Sequence, residues 1–138
     1  MRINPISINF YGYSQKYQIG NNSLEDVFDD NDVLIKRYEL DDKNRLVETV
    51  WFDEHGNVRE FLHKDYFEKE NEKGFIETYA GPNQEYVRKS YEKTENGFRH
   101  VIDDFKSKTG KSYINDFVHD LSGKLVKIIS NGKVTPVK

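Results

Sequence analysis

The side chains best suited to chemistry are four histidines, at positions 55, 63, 100 and 119, set among 24 carboxylates. His55 stands beside Gly56 in a turn-like stretch. His63, His100 and His119 fall in stretches of strand character, near Asp65, Asp103, Asp104, Asp116 and Asp120. Imidazole with carboxylate can hold zinc or move protons. If residues 98–106 and 112–119 pair across Lys108-Thr109, His100 and His119 come within about two residues of register. A single residue of register then decides whether they share a face. No His-x-His or His-Glu-x-x-His spacing accompanies them, so neither a metal nor a cofactor is expected. Asp103-Asp104 and Asp29-Asp30 are sequence neighbours, which an extended chain points to opposite faces, the wrong arrangement for paired acid–base work. Gly110-Lys111-Ser112 ends like a phosphate loop, but Phe105 stands where its first glycine belongs and a hairpin offers no helix N-terminus. The expectation is a protein that is not an enzyme.

Aromatic side chains are the second candidate. Nine Tyr, nine Phe and one Trp make up 14% of the chain. Tyr11, Tyr13 and Tyr17, with Phe10, either cover a sheet face or form a recognition patch. With Trp51, His100 and His119, these three tyrosines are the candidate binding residues. Rings of this kind also stack on carbohydrate or single-stranded nucleic acid. The 21 basic and 24 acidic residues are interspersed, net −3, without a basic stripe. No nucleic-acid partner is expected.

The elements that must position these groups are strands. A chain of 138 residues suits one core, and its aromatic content argues against disorder. With no cysteine, disulfides and thiolate chemistry are excluded within this sequence. The opening residues lack a secretory apolar run and no later stretch approaches a membrane span, so no membrane and a cytoplasmic location are expected. Residues 1–22 read as an N-terminal arm, with a short strand over Ile6, Ile8 and Phe10 as one option. Residues 23–138 read as a single β-meander domain. Ser23-Leu24-Glu25-Asp26 looks like a helix cap, and Leu24, Val27 and Phe28 would stripe one or two helical turns. Strands are expected at 33–40, 46–52, 58–68, 75–79, 86–92, 98–106, 112–119 and 125–130. Links this short join antiparallel neighbours.

Three of the links share a formula: Asp, two residues, Gly or Asn, a polar residue, an aliphatic. They are Asp41 to Leu46, Asp53 to Val58 and Asp120 to Leu125, with looser versions around Gly74, Gly97 and Gly110. The carboxylate accepts backbone N–H groups within the turn, and the fourth position takes positive φ. Apolar brackets flank each turn: Leu40 with Leu46, Phe52 with Val58, Phe67 with Phe75, Tyr91 with Phe98 and Val118 with Leu125. Successive brackets at Tyr38, Phe52 and Phe67, and again at Tyr91, Phe105 and Val118, stand about 13–15 residues apart, as a repeat of one strand plus one turn.

Phe52-Asp53-Glu54-His55-Gly56-Asn57-Val58 resembles the Tyr-Asp-x-x-Gly-Asn/Arg-Leu unit of YD repeats in Rhs-type bacterial proteins, and the strand–turn units of YwqK-like antitoxin repeats. The resemblance spans residues 38–130. It departs at the leading Tyr, where Leu40, Phe52 and His119 stand, and through 68–91. It carries over no catalytic residues and implies a binding surface, in the second case that of a neutralising partner.

Apolar residues sit at both parities of several strands, such as Leu46, Val50 and Phe52 against Val47 and Trp51. Either both faces are partly covered or bulges switch the phase. The expected fold is therefore all-β, an antiparallel meander of about eight strands, as a strongly twisted open sheet or a closed barrel. The expected function is a non-enzymatic protein-interaction module, immunity- or antitoxin-like, with a protein partner. A small-ligand carrier built on a closed barrel is the alternative.

Overall fold

The computed structural model describes residues 2–3, 7–9 and 12–138, the first two stretches as backbone only. Because the links are short, each strand from the third onward lies beside its predecessor. The result is an all-β antiparallel meander: β1 (Arg2–Ile3), β2 (Ser7–Asn9), β3 (Gly12–Ile19), β4 (Asn22–Phe28), β5 (Leu34–Leu40), β6 (Leu46–Phe52), β7 (Val58–Lys69), β8 (Glu72–Ala80), β9 (Glu85–Glu95), β10 (Phe98–Ser107), β11 (Ser112–Asp120), β12 (Leu125–Ser130) and β13 (Lys133–Pro136). The order is β1-β3-β4 and onward in sequence to β13, with β2 pairing β3 off the path. It has two ends, so the sheet is open and the closed-barrel option falls. All eight expected strands are present, and β1 to β4 and β13 add to them. No helix among the described residues is long and apolar enough to cross a membrane.

The chain divides into two compact units: Met1–Lys64 with Tyr79–Asn83, and Asp65–Thr78 with Gln84–Lys138. In the first, β3 pairs β4 from Tyr13↔Phe28 to Ile19↔Asn22, so residues 12–19 of the expected arm are a strand. Residues 22–28, expected to start as a helix, form β4. Pairing with β3 and β5 on either side overrides the helical spacing of Leu24, Val27 and Phe28. Among the described residues of this unit, Ser14, Leu24, Asp26 and Thr49 are buried outright. In the second unit β10 pairs β9 and β11 along its length, and Ile102 and Val118 are buried. Most other strand residues in both units are half-buried.

The Asp turns form as expected. Oδ1 of Asp41, Asp53 and Asp120 accepts the N–H groups two and four residues on, at 2.9–3.0 Å. Asp29 builds a fourth such turn, with Asp32 at φ 62° in the glycine position. Directly after each of the four turns the pairing shifts by one residue, as between Trp51↔Glu60 and Phe52↔Val58. Ile35, Val47, Arg59 and Val126 are the extra residues. These bulges switch the strand phase, which is why apolar residues occur at both parities.

The looser turns differ. Gly74 lies inside β8, and the turn there is at Asn71, φ 65°. Asn96-Gly97 is a two-residue turn with positive φ at both positions, so Phe98 pairs Glu95 and Tyr91 pairs Ile102. At Gly110 the leading residue is Ser107, and β10 and β11 keep one register on both sides. The last Asp turn brackets Leu125 with His119 rather than with Val118.

Candidate binding faces

In the first unit the candidate rings divide between two faces. Tyr13 and Tyr17 lie on one side of β3. Tyr13 stacks on Phe28, centroids 5.0 Å apart, and its hydroxyl donates to Asp32 at 2.8 Å. Tyr17 donates to Asp26 Oδ2 at 3.1 Å, while Arg37 donates to both oxygens of Asp26 at 2.6 and 3.1 Å. Burial and then the Asp26 hydrogen bond raise the Tyr17 phenol above its ordinary value, and the same carboxylate keeps Arg37 charged. Asp26 and Arg37 face each other in register, as do Lys36 and Trp51, and Lys36 and Arg37 are strand neighbours. Trp51 is therefore on the opposite face from Tyr17. There the Lys36 ammonium sits 4.7 Å from the Tyr38 ring centroid and 5.2 Å from that of Trp51. Tyr11 lies outside the described residues.

The histidines of the second unit also separate. Register pairs Arg99 with His119 and His100 with Val118. Successive residues of β10 alternate, so His100 and His119 occupy opposite faces and cannot share an ion. His100 Nδ1 instead bonds Asp116 at 2.8 Å, both side chains largely buried. His119 Nδ1 is buried without a hydrogen-bond partner, as is Asp104 Oδ1. Among the described residues, no group of three or more His, Cys, Asp or Glu could hold a metal ion.

The face of His119 brings rings of three adjacent strands into contact. Phe105 stacks on Tyr113 directly across the β10–β11 ladder, centroids 5.1 Å apart at 12°, and meets Tyr86 of β9 at 5.1 Å. Arg88, paired in register with Phe105, reaches Asp103 through two hydrogen bonds of 2.8 and 2.7 Å. The Asp103 bonds hold the guanidinium well above its usual range, so it stays charged. Tyr86 donates to Glu77 at 2.8 Å. Phe117 is on the same face four residues along β11 from Tyr113, 36% exposed, between Val101 of β10 and Ile128 of β12. The three rings are half-buried, so each keeps an outer edge in solvent.

Sequence reasoning selected none of Tyr86, Arg88, Asp103, Phe105, Tyr113 or Phe117. A signal for part of this face was present: Lys36-Arg37 and Arg88-Lys89 each place two cations side by side in a strand. Alternation sends one to each face, which in turn asks for an acid on one side and rings on the other. Lys89 does sit 4.3 Å from the Tyr91 ring centroid and 5.3 Å from that of Phe67. No family model, no curated protein and no solved structure matches the chain.

What such a face does chemically is bind. Rings locked by stacking lose little freedom when covered, and tyrosine and arginine offer apolar area with polar tips.

Proposed function

We propose that the chain is a non-enzymatic protein-interaction module that meets its partner with the Tyr86–Phe105–Tyr113 face. The observation supporting this is the row of half-buried rings in contact across three adjacent strands, Tyr86 tilted against Phe105 and Phe105 stacked on Tyr113, with exposed Phe117 on the same face. Contiguous aromatic surface of this kind is the composition of interface centres, and the polar Arg88, Asp103 and Glu77 supply the rim. The resemblance to YwqK-like repeats supports a toxic protein, neutralised by this surface, as the partner.

The reading is tested by capture from an extract of the native cells with tagged full-length chain. One discrete protein should be recovered saturably. Its recovery should fall for Tyr113→Ala and for Phe117→Ala at unchanged circular dichroism, and persist for Val58→Ala, an exposed residue of the first unit. Recovery indifferent to the two ring variants, or no saturable partner, overturns the proposal.

A further inference from the structure

The first unit carries a groove of about 530 Å³ across strands β3 to β6, a size that holds a small molecule. Register explains its shape. Lys16, Glu25 and Tyr38 face one another in one row, and Ser23, Leu40 and Leu46 in a second. Between the rows lie Tyr17 and Leu24, whose side chains alternate to the opposite face, so their main chain is the floor. None of the four strands is a sheet edge, since β3 pairs β1 and β2 on its far side and β6 pairs β7.

The two walls differ in kind. One is apolar, built on half-buried Leu40 and Leu46. The other sets Lys16 directly opposite Glu25 and ends in the Tyr38 ring. Asp26 and Arg37, opposed in the same way, close onto each other at 2.6 Å. Lys16 and Glu25 form neither an ion pair nor a hydrogen bond. The neighbouring charges of this face are engaged. Lys36 lies over Tyr38 and Trp51, Glu60 bonds Arg59 and Tyr79, and Lys64 has a partner. In the turn beyond Leu40, Asp41 bonds Arg45 at 2.8 Å, and Asp42 and Lys43 balance in sign. Among the described residues lining it, the groove thus holds an uncommitted ammonium and an uncommitted carboxylate side by side, facing an apolar wall. We propose that it binds a free α-amino acid with a large apolar side chain. Such a molecule carries both charges on one carbon, so its ammonium meets Glu25 while its carboxylate meets Lys16. Its side chain then lies between Tyr38 and the two leucines. A ligand with a single charge leaves the other group unmatched. Within a protein chain both α-groups are tied up in amides, so this small-molecule site is separate from the partner face of the second unit.

The probe is L-phenylalanine, titrated into the isotope-labelled full chain and followed by the shifts of its backbone amides. Phenylalanine amide lacks the carboxylate, hydrocinnamate lacks the ammonium, and glycine lacks the apolar body. Phenylalanine should bind saturably and move the amides of Leu24, Glu25 and Leu40. Each comparison compound should bind at least about tenfold more weakly. Two variants then assign the charges. Lys16→Met should weaken phenylalanine about tenfold and leave phenylalanine amide unchanged, because the amide has no carboxylate to lose a partner. Glu25→Gln should weaken phenylalanine and leave hydrocinnamate unchanged. Tyr113→Ala, in the other unit, should alter none of these, and the amide spectrum itself reports whether each variant is folded. No saturable shift in the groove, saturable shifts confined to the second unit, or amide and hydrocinnamate binding as tightly as phenylalanine would each overturn the proposal. So would a folded Lys16→Met or Glu25→Gln variant that binds phenylalanine as the unaltered chain does.

Discussion

The two units solve one problem in two ways. Each has adjacent cations in the middle of a strand, Lys36-Arg37 and Arg88-Lys89, and each uses them alike. The arginine grips an aspartate on the neighbouring strand by two hydrogen bonds, and the lysine covers two rings on the other face. The difference lies in depth. In the first unit the Asp26 side chain is 12% exposed and has Tyr17 as a further donor. In the second unit the Asp103 side chain is 24% exposed, and the buried residues are Ile102 and Val118. The first unit draws its carboxylate inward between two donors, and the second leaves its ion pair and rings nearer water. Polar groups held inside specify structure, whereas the same groups left near the surface are free to meet something else.

That contrast is broken most directly at the arginines. Arg37→Met leaves the Asp26 carboxylate buried with only Tyr17, and should cost about 3 kcal/mol. Arg88→Met leaves a carboxylate that water can reach, and should cost about 1 kcal/mol. Trp51 is the only tryptophan, so its fluorescence during urea unfolding reads the first unit while circular dichroism follows the strands of both. Equal losses for the two variants would dissolve the distinction. Next comes Val118→Ala. Val118 is fully buried, and truncating it should cost about 2 kcal/mol in the dichroism-detected transition. A loss below about 0.5 kcal/mol would show that the aliphatic residues are not the core of the second unit.

The distinction between units was not legible in the sequence, although the strands were. Turn chemistry at Asp41, Asp53 and Asp120 is local, since a carboxylate and a residue of positive φ lie within five positions of each other. Periodicity between such turns located eight strands. Asp29 escaped because Asp32, rather than glycine or asparagine, takes the left-handed position, and the run of acids looked like a helix ending. Gly74 misled for the reverse reason. It has no positive φ, and a side chain there would meet Ser90 O at 2.2 Å and the Tyr91 Cα at 2.6 Å, so it is glycine for closeness of strands. Faces depend on register, and register depends on four bulges whose one-residue shifts periodicity does not reveal. The candidate residues were chosen by type, and the register scattered them: Tyr17 from Trp51, His100 from His119. The ring row of Tyr86, Phe105 and Tyr113 comes from three strands spread over 28 residues, and only pairing assembles it.

The turns supply a third and finer test, because they too differ between hairpins. Asp53 anchors its turn with two backbone N–H groups, whereas Ser107 accepts only that of Thr109, at 3.2 Å, and no bulge follows it. Asp53→Ala should lower Tm by a few degrees and Ser107→Ala by less. A Ser107→Ala loss equal to that of Asp53→Ala would mean that the Asp formula adds nothing specific.

The smallest effect expected is the pH dependence of the Asp turns. The backbone N–H of Arg45 is the main cause holding Asp41 below the ordinary carboxylate range, and that of Asn57 does the same for Asp53. For Asp120 the Ser122 hydroxyl leads, followed by the Lys124 N–H. Each carboxyl is thus more acidic folded than unfolded, so the unfolded chain takes up protons first as pH falls. The stability these groups contribute is present above about pH 4, the ordinary range for aspartate, and fades as pH drops through their lower folded values. Two of the three turns lie in the first unit and one in the second. Acid should therefore move the Trp51-detected transition, and Asp41→Asn/Asp53→Asn should flatten its slope below pH 4 while leaving the slope above pH 5 alone. If the double variant keeps the full acid slope, the acid sensitivity of the first unit lies elsewhere, with Glu60, held low chiefly by the Tyr79 hydroxyl, the next carboxylate to examine.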